Sequence, residues 1–391
     1  MNTLNKHQYL FNGIVSALLA CTGGAVLIIE AAHSAGFSRT ALVSWLFAVF
    51  FLGGLVSIAM PLIFKLPIAG AHSITAAAFL GTAAAHFTLP ELAGSYVMAG
   101  LLIALVGMTG IFAKFMKLLP KPIVAAMLTG LVAQYVIKIV PALQAYPLAG
   151  TLSILGFLLT SRYFKKIPPI VSVLVLGIFG LWASQPAWQI PELHVVLPQL
   201  VIPAFSVHGF ISIAVPVALL ILSNDIAVAM AALQQNGYKA PMMSSLFISG
   251  IGTSLAAFFG GHAVAVGGMM TALCSSEDVG PKDKRFRAAM VSGILVTLFG
   301  LFAWAVIDLI TLLPRPFISL IAGFSLLQVL IANAHFAFSA HSYRYSVVAA
   351  FIVSISNVSF AGISSPVWSL LVGSSIAWML GERKAEMSGS G

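Results

Sequence analysis

The sequence predicts an all-α membrane protein of about 14 transmembrane segments, arranged as two inverted seven-span repeats with half-helices at spans 3 and 10. Three observations predict it. The composition is too apolar for a water-facing surface, the basic residues collect in alternate loops, and two motifs recur in the same order along the chain.

The 391 residues are 60% hydrophobic and only 7% charged, against roughly a quarter charged in soluble domains, so lipid is the solvent for most of the chain. A spanning helix needs about 20 apolar residues, which leaves room for 14 to 16 spans at about that length and for no large soluble domain. The formal charge of +9 is dispersed between apolar runs, which suits membrane topology rather than a nucleic-acid surface. Cys21 and Cys274 supply neither a disulfide framework nor a metal cage, so no metal and no cofactor is expected. The Leu18-Leu19-Ala20-Cys21 run resembles a lipoprotein cleavage box. Its apolar stretch continues through Ile29, however, which places Cys21 inside a full-length span.

Apolar runs fall near residues 8–30, 40–60, 66–85, 92–113, 120–139, 147–162 and 167–184, then 208–234, 242–259, 260–275, 285–310, 314–332, 340–358 and 364–381. This gives a first repeat over 1–184, a proline-rich periplasmic or extracellular connection over 185–207, a second repeat over 208–382 and a cytoplasmic tail over 383–391. With the amino terminus inside, only Arg39, Lys138 and Arg315 of the 19 basic residues fall outside. That asymmetry matches the positive-inside rule and sets both termini in the cytoplasm.

Leu119-Pro120-Lys121-Pro122 recurs as Leu313-Pro314-Arg315-Pro316, with Gln134 and Gln328 following at the same distance. Gly70-Ala71-His72 recurs as Gly260-Gly261-His262. An odd number of spans per repeat makes the second copy enter the membrane from the opposite side, which is the architecture of many secondary transporters. Each glycine-histidine motif is followed by only a short apolar stretch. The expectation is therefore an extended entry to mid-membrane followed by a half-helix starting near His72 or His262.

Two half-helices starting near the midplane from opposite sides aim their free N–H groups at one point, which is an anion site needing no lysine or arginine. A carboxylate suits it, and a neutral polar solute fits equally. His72 and His262 are candidates to contact substrate or carry a proton, with a capping or packing role as the alternative; Ser73 and Thr75 are candidate contacts or caps. Asn224 and Asp225 lie deep in the eighth span, where an ionisable group is costly enough to suggest function, and Asp225 is the preferred proton carrier. Thr22, Gly23 and Gly24 offer a cavity wall or a close helix approach. Asp308 and Glu30 read as interfacial. No diphosphate motif, metal-histidine pair or nucleophile elbow is present, so no catalytic residue is assigned and an enzyme is not expected.

The run Asn236-Gly237-Tyr238-Lys239-Ala240-Pro241, then Phe259-Gly260-Gly261-His262-Ala263, Thr271-Ala272-Leu273-Cys274 and Pro281-Lys282-Asp283-Lys284-Arg285-Phe286 resembles the benzoate:proton symporter family, as does Ala125-Ala126-Met127-Leu128. The resemblance covers most of the chain and is densest in its second half. It implies the fold shared with uracil and xanthine permeases and sulfate-type carriers: a core domain (spans 1–4 and 8–11) moving against a gate domain (spans 5–7 and 12–14). It implies a substrate site at Ala71, His72, Ser73 and Thr75, at Gly261, His262, Ala263 and Val264, and at Asn224 with Asp225; the assignment of proton coupling to Asp225 and His262 comes from their predicted positions in the spans. It further implies proton-driven uptake of a small aromatic carboxylate such as benzoate across a bacterial inner membrane. Departures remain, because Asn224-Asp225 is followed by Ile226-Ala227-Val228 where many members carry Ala-Pro-Gly. A nucleobase or other small-anion permease and a passive anion channel are the alternatives, and a homodimer is left open.

Overall fold

The computed structural model describes residues 4–110, 120–164, 167–184, 194–358, 360 and 363–382. Lys114, Lys117, Leu119, Lys165, Lys166, the first part of the central connection (185–193) and the tail 383–391 lie outside the described residues.

The chain is mostly helical. Helix α1 runs over Leu4–Ser34 and α2 over Arg39–Phe64, with a π-helical turn at Ala48–Leu52. The short strand β1 (Gly70–Ala71) leads to α3 (Ile74–Ala83), followed by α4 (Leu89–Thr109), α5 (Lys121–Val136), α6 (Ile139–Ala145), α7 (Pro147–Tyr163) and α8 (Pro169–Ser184). The second half holds α9 (Val207–Gln235), carrying π turns at Phe210–Ala214 and Ile221–Ile226, and α10 (Met242–Ala257). Strand β2 (Ala265–Val266) precedes α11 (Gly268–Ser275). Then come α12 (Phe286–Leu301), α13 (Ala303–Thr311), α14 (Arg315–Phe338), α15 (Arg344–Ile355) and α16 (Ser365–Met379).

Local sequence explains where these helices start. Ser38 accepts from the Ala41 N–H at 3.2 Å and caps α2, and Thr88 with Glu91 forms a capping box at α4. Proline stands in the first turn of α5, α7, α14 and α16, where its missing N–H costs nothing. Among the described residues, six helices are long and apolar enough to cross a membrane, and the α12–α13 pair, bent by 73°, makes a seventh if counted as one span. Leu55, Leu105, Leu158 and Phe179 are exposed on helix faces, which is the expected exterior of a protein solvated by lipid.

Helix α4 packs along α10, α2 and α1 along α12, α5 against α14 and α15, and α7 along α8. Strands β1 and β2 pair antiparallel, Gly70 opposite Val266 and Ala71 opposite Ala265, and so bring two distant breaks in the helical ladder together. Helix α3 has 10 residues and α11 has 8. At about 1.5 Å per residue neither crosses about 30 Å of hydrocarbon.

One expectation needs correcting. Helix α11 does not start near His262 but at Gly268, 194 residues beyond the start of α3 at Ile74. Gly260, at φ +77°, instead closes α10: the Gly260 N–H bonds to Ala257 O and the Gly261 N–H to Ala256 O, both at 2.9 Å. The glycines at 260–261 therefore end a helix, whereas Gly70 lies in a strand. His262 follows that helix end in extended chain.

Candidate functional site

Broken backbone inside a membrane is tolerable only if its polar groups are met by protein, because lipid offers no partner. Here serine and threonine hydroxyls meet them. Ser57 accepts from the Gly70 N–H at 3.1 Å. Thr271 accepts from the Ala69 N–H and donates to the Ala69 carbonyl, which also accepts from the Gly267 N–H at 2.9 Å. Thr253 accepts from Val264 N–H at 3.0 Å and Ser249 from Val266 N–H at 3.3 Å. These hydroxyls hold both extended segments at the depth where α3 and α11 begin.

Ser73 caps α3 by accepting from the Ala76 N–H at 3.2 Å, while the Gly267 carbonyl receives the first bond of α11 from Thr271 N–H. The two helix starts border one cavity of about 340 Å³. Its polar lining comes from His72 and Thr75 beside the first start, Asn224 and Asp225 on the second π turn of α9, and Gln328 and Asn333 on α14; Ala20 and Val228 add apolar wall. Among the described residues no lysine or arginine lines it, and the positive ends of two helix dipoles face the cavity.

Two buried polar atoms there lack a hydrogen-bond partner among the described residues, His72 Nδ1 and Asp225 Oδ2. An unsatisfied buried polar group costs about 1–3 kcal/mol, so each of the two is an open hydrogen-bonding position at the cavity wall.

His262 has a different environment. Trp45 Nε1–H donates to its Nδ1 at 2.9 Å, which fixes the proton on Nε2, and Nε2–H donates to the Ser73 carbonyl at 3.0 Å. Both ring nitrogens are engaged and the side chain is fully buried, so taking up a second proton would break the Trp45 bond. The geometry argues against His262 as a proton carrier and makes it a strut that fixes the backbone at the start of α3. His72, its ring centroid 5.8 Å from that of His262, reaches the Ala20 carbonyl of α1 through Nε2 at 3.4 Å.

Of the residues singled out from sequence, His72, Thr75, Asn224 and Asp225 line the cavity. Ala71 lies in β1, Ser73 is the cap beneath the cavity, and Ala263 and Val264 are buried in the extended chain before β2. Gly261 closes α10. Thr22 bonds back to Leu18 O within α1, and Gly23 faces Ser325 of α14, so this pair serves helix approach rather than lining. Sequence reasoning missed Gly267, Gly268, Met269, Met270 and Asn333. Gln328 did stand out, as the counterpart of Gln134, but that repeat gave no reason to aim it at the site.

Paired broken helices around a membrane-buried pocket with a carboxyl at its wall define a multi-pass membrane transporter. The comparisons agree with that class. A family model described as "Benzoate membrane transport protein" matches residues 5–379, and the chain belongs to that family. It is 29% identical over 378 residues to the benzoate membrane transport protein of Acinetobacter baylyi, covering 95% of each chain. It is 30% identical over 371 residues to the inner membrane protein YdcO of Escherichia coli, covering 93% of each. Among solved structures, the transmembrane domain of a cyanobacterial bicarbonate transporter, BicA, superposes with a TM-score of 0.61 at 16% identity, covering 95% of this chain and 97% of that one. SLC26A9 superposes at 0.65 with 14% identity, covering 96% of this chain and 65% of that one. At these identities the structural likeness shows the fold.

Proposed function

We propose that this protein is a proton-coupled symporter for a small aromatic carboxylate, with benzoate as the foremost candidate. The observation that carries the reading is the cavity where two helix starts face the Asp225 carboxyl with no lysine or arginine among the described residues of its lining. Helix dipoles suit a bound carboxylate. Val228, Met269 and Ala332 of the lining suit an apolar ring, and about 340 Å³ is a size typical of small-ligand pockets. The family match and the name of the Acinetobacter relative support the choice of substrate.

Coupling follows from charge. An ionised Asp225 and a substrate carboxylate about 5 Å apart repel by about 3 kcal/mol at an effective dielectric of 20, roughly two orders of magnitude in affinity. Protonation removes that repulsion and supplies a donor. Proton and anion then favour one another's binding, which is the thermodynamic content of symport.

In the same reading the helical segments form fourteen membrane passages in two inverted repeats, each broken at its third segment. The antiparallel β1–β2 pairing and the 194-residue spacing of α3 and α11 support this. A core (α1–α4 with α9–α13) rocks against a gate (α5–α8 with α14–α16). Both termini face the cytoplasm of a bacterial inner membrane, the compartment in the name of the Escherichia coli relative.

The test is benzoate accumulation in proteoliposomes under an imposed pH gradient. Accumulation should vanish when the gradient is collapsed, and Asp225→Asn should lose accumulation while keeping benzoate exchange. Uptake indifferent to the gradient would end the symport reading.

A further inference from the structure

A second cavity of about 390 Å³ adjoins the central one and shares Asn224, Val228 and Asn333 with it. It follows α9 from Ser223 to Ala231, toward that helix's Gln235 end, and its lining includes Lys121, at the very start of α5, and Phe336, near the end of α14. These residues mark one membrane face. The other end of the α5–α6 stretch is tied shut against neighbouring helices: Tyr135 donates to the Ala78 carbonyl of α3 at 2.7 Å, and Lys138 pairs with Glu30 of α1 at 2.8 Å. The pair of cavities thus forms one passage leading from Asp225 to Lys121.

We infer that the second cavity is a vestibular binding site, where an aromatic carboxylate pairs with the Lys121 ammonium and rests its ring against Phe336 before or after occupying the central pocket. This rests on the carboxylate reading above. Lys121 is built into its place. Pro120 caps the helix in an extended conformation and Pro122 stands in the first turn, so the root of the lysine is held at the mouth by two restricted φ angles. Val124, Ala125 and Leu128 continue the apolar wall inward. Among the described residues that line the two cavities, Lys121 is the one lysine or arginine. A carboxylate therefore meets a full positive charge at the mouth and two helix dipoles within, and Asn224 and Asn333 mark the step between. Arg315 occupies the matching Pro-Arg-Pro position at the start of α14, outside both cavities, and serves as a control.

The experiment is acylation of Lys121 by an amine-reactive probe, read by peptide mass spectrometry on the intact protein in phosphatidylcholine vesicles. Benzoate should slow labelling of Lys121, whereas benzyl alcohol, which lacks the charge, should not. Lys121→Gln should raise the KM for benzoate exchange roughly three- to tenfold with kcat little changed, the loss of one partly solvated charge-assisted contact. Lys121→Arg should restore it, and Arg315→Gln should leave benzoate protection of Lys121 intact. Equal labelling with and without benzoate would overturn the inference, as would protection conferred by phosphatidylglycerol but not by benzoate, which would make the lysine a lipid-headgroup contact. Should Lys121→Gln fail to fold, the labelling of the unmutated protein decides alone. If benzoate is exchanged yet Lys121 is never protected, only the vestibule falls; if benzoate is not carried at all, both readings fall.

Discussion

At Gly24 an added methyl group would overlap the His72 imidazole, and at Gly23 it would touch Ser325 at 3.1 Å. The two neighbouring glycines therefore do different things: Gly24 admits the histidine that ends the first extended segment, and Gly23 admits α14. Gly24→Ala should destabilise the protein by about 1–3 kcal/mol through overpacking and impair benzoate uptake by shifting His72, whereas Gly23→Ala should be milder. Thermal unfolding and initial uptake rates measure both, and an unchanged Gly24→Ala protein would contradict the packing described. Residue by residue, the site was partly legible. Asp225 stood out because a carboxyl in an apolar run needs a reason to be there. His262 also stood out, but its role depended on Trp45, which is 217 positions away in the chain. Asn333 gave no signal, since an asparagine near the end of a long helix reads as interfacial until that helix is seen beside Asp225.

The breaks between elements are where sequence and structure part most clearly. The apolar runs located the helices well because hydropathy and helix length report the same thing, the thickness of hydrocarbon to be crossed. The start of α11 was misplaced because Gly-x-His was read as one device used twice, whereas one copy builds a strand and the other ends a helix. Ion pairs were also hidden. Asp308, expected at an interface, is 8% exposed and takes a bidentate contact from Arg39 at 2.7 Å to each oxygen. Arg39 additionally donates to the His194 carbonyl, which clamps α2, α13 and the described part of the central connection together. Asp308→Asn should cost about 1–3 kcal/mol, less than a fully buried pair because Arg39 remains partly solvated. Denaturant unfolding in detergent would show it, and a wild-type midpoint would mean that the clamp contributes nothing.

For the whole molecule, binding and stability are linked: a solute that binds the folded transporter raises its unfolding temperature, by an amount corresponding to about 2.7 kcal/mol at a hundredfold excess over Kd. In a thermal-shift panel benzoate should therefore give a clear increase and uracil or xanthine none. A larger shift with a nucleobase would transfer the site, with its amides at Asn224, Gln328 and Asn333, to the nucleobase reading. At this scale the sequence by itself determined the solvent, the helical class and the need for broken segments, because each follows from composition and from distances along one chain: too few charges for water, and too few residues for a continuous third or tenth span. Only the tertiary structure decided which side chains share a pocket. The β1–β2 pairing, the Trp45–His262 bond and the placing of α9 and α14 around one cavity bring together residues far apart in sequence, and packing in three dimensions, which leaves no periodic trace in the chain, selects those partners.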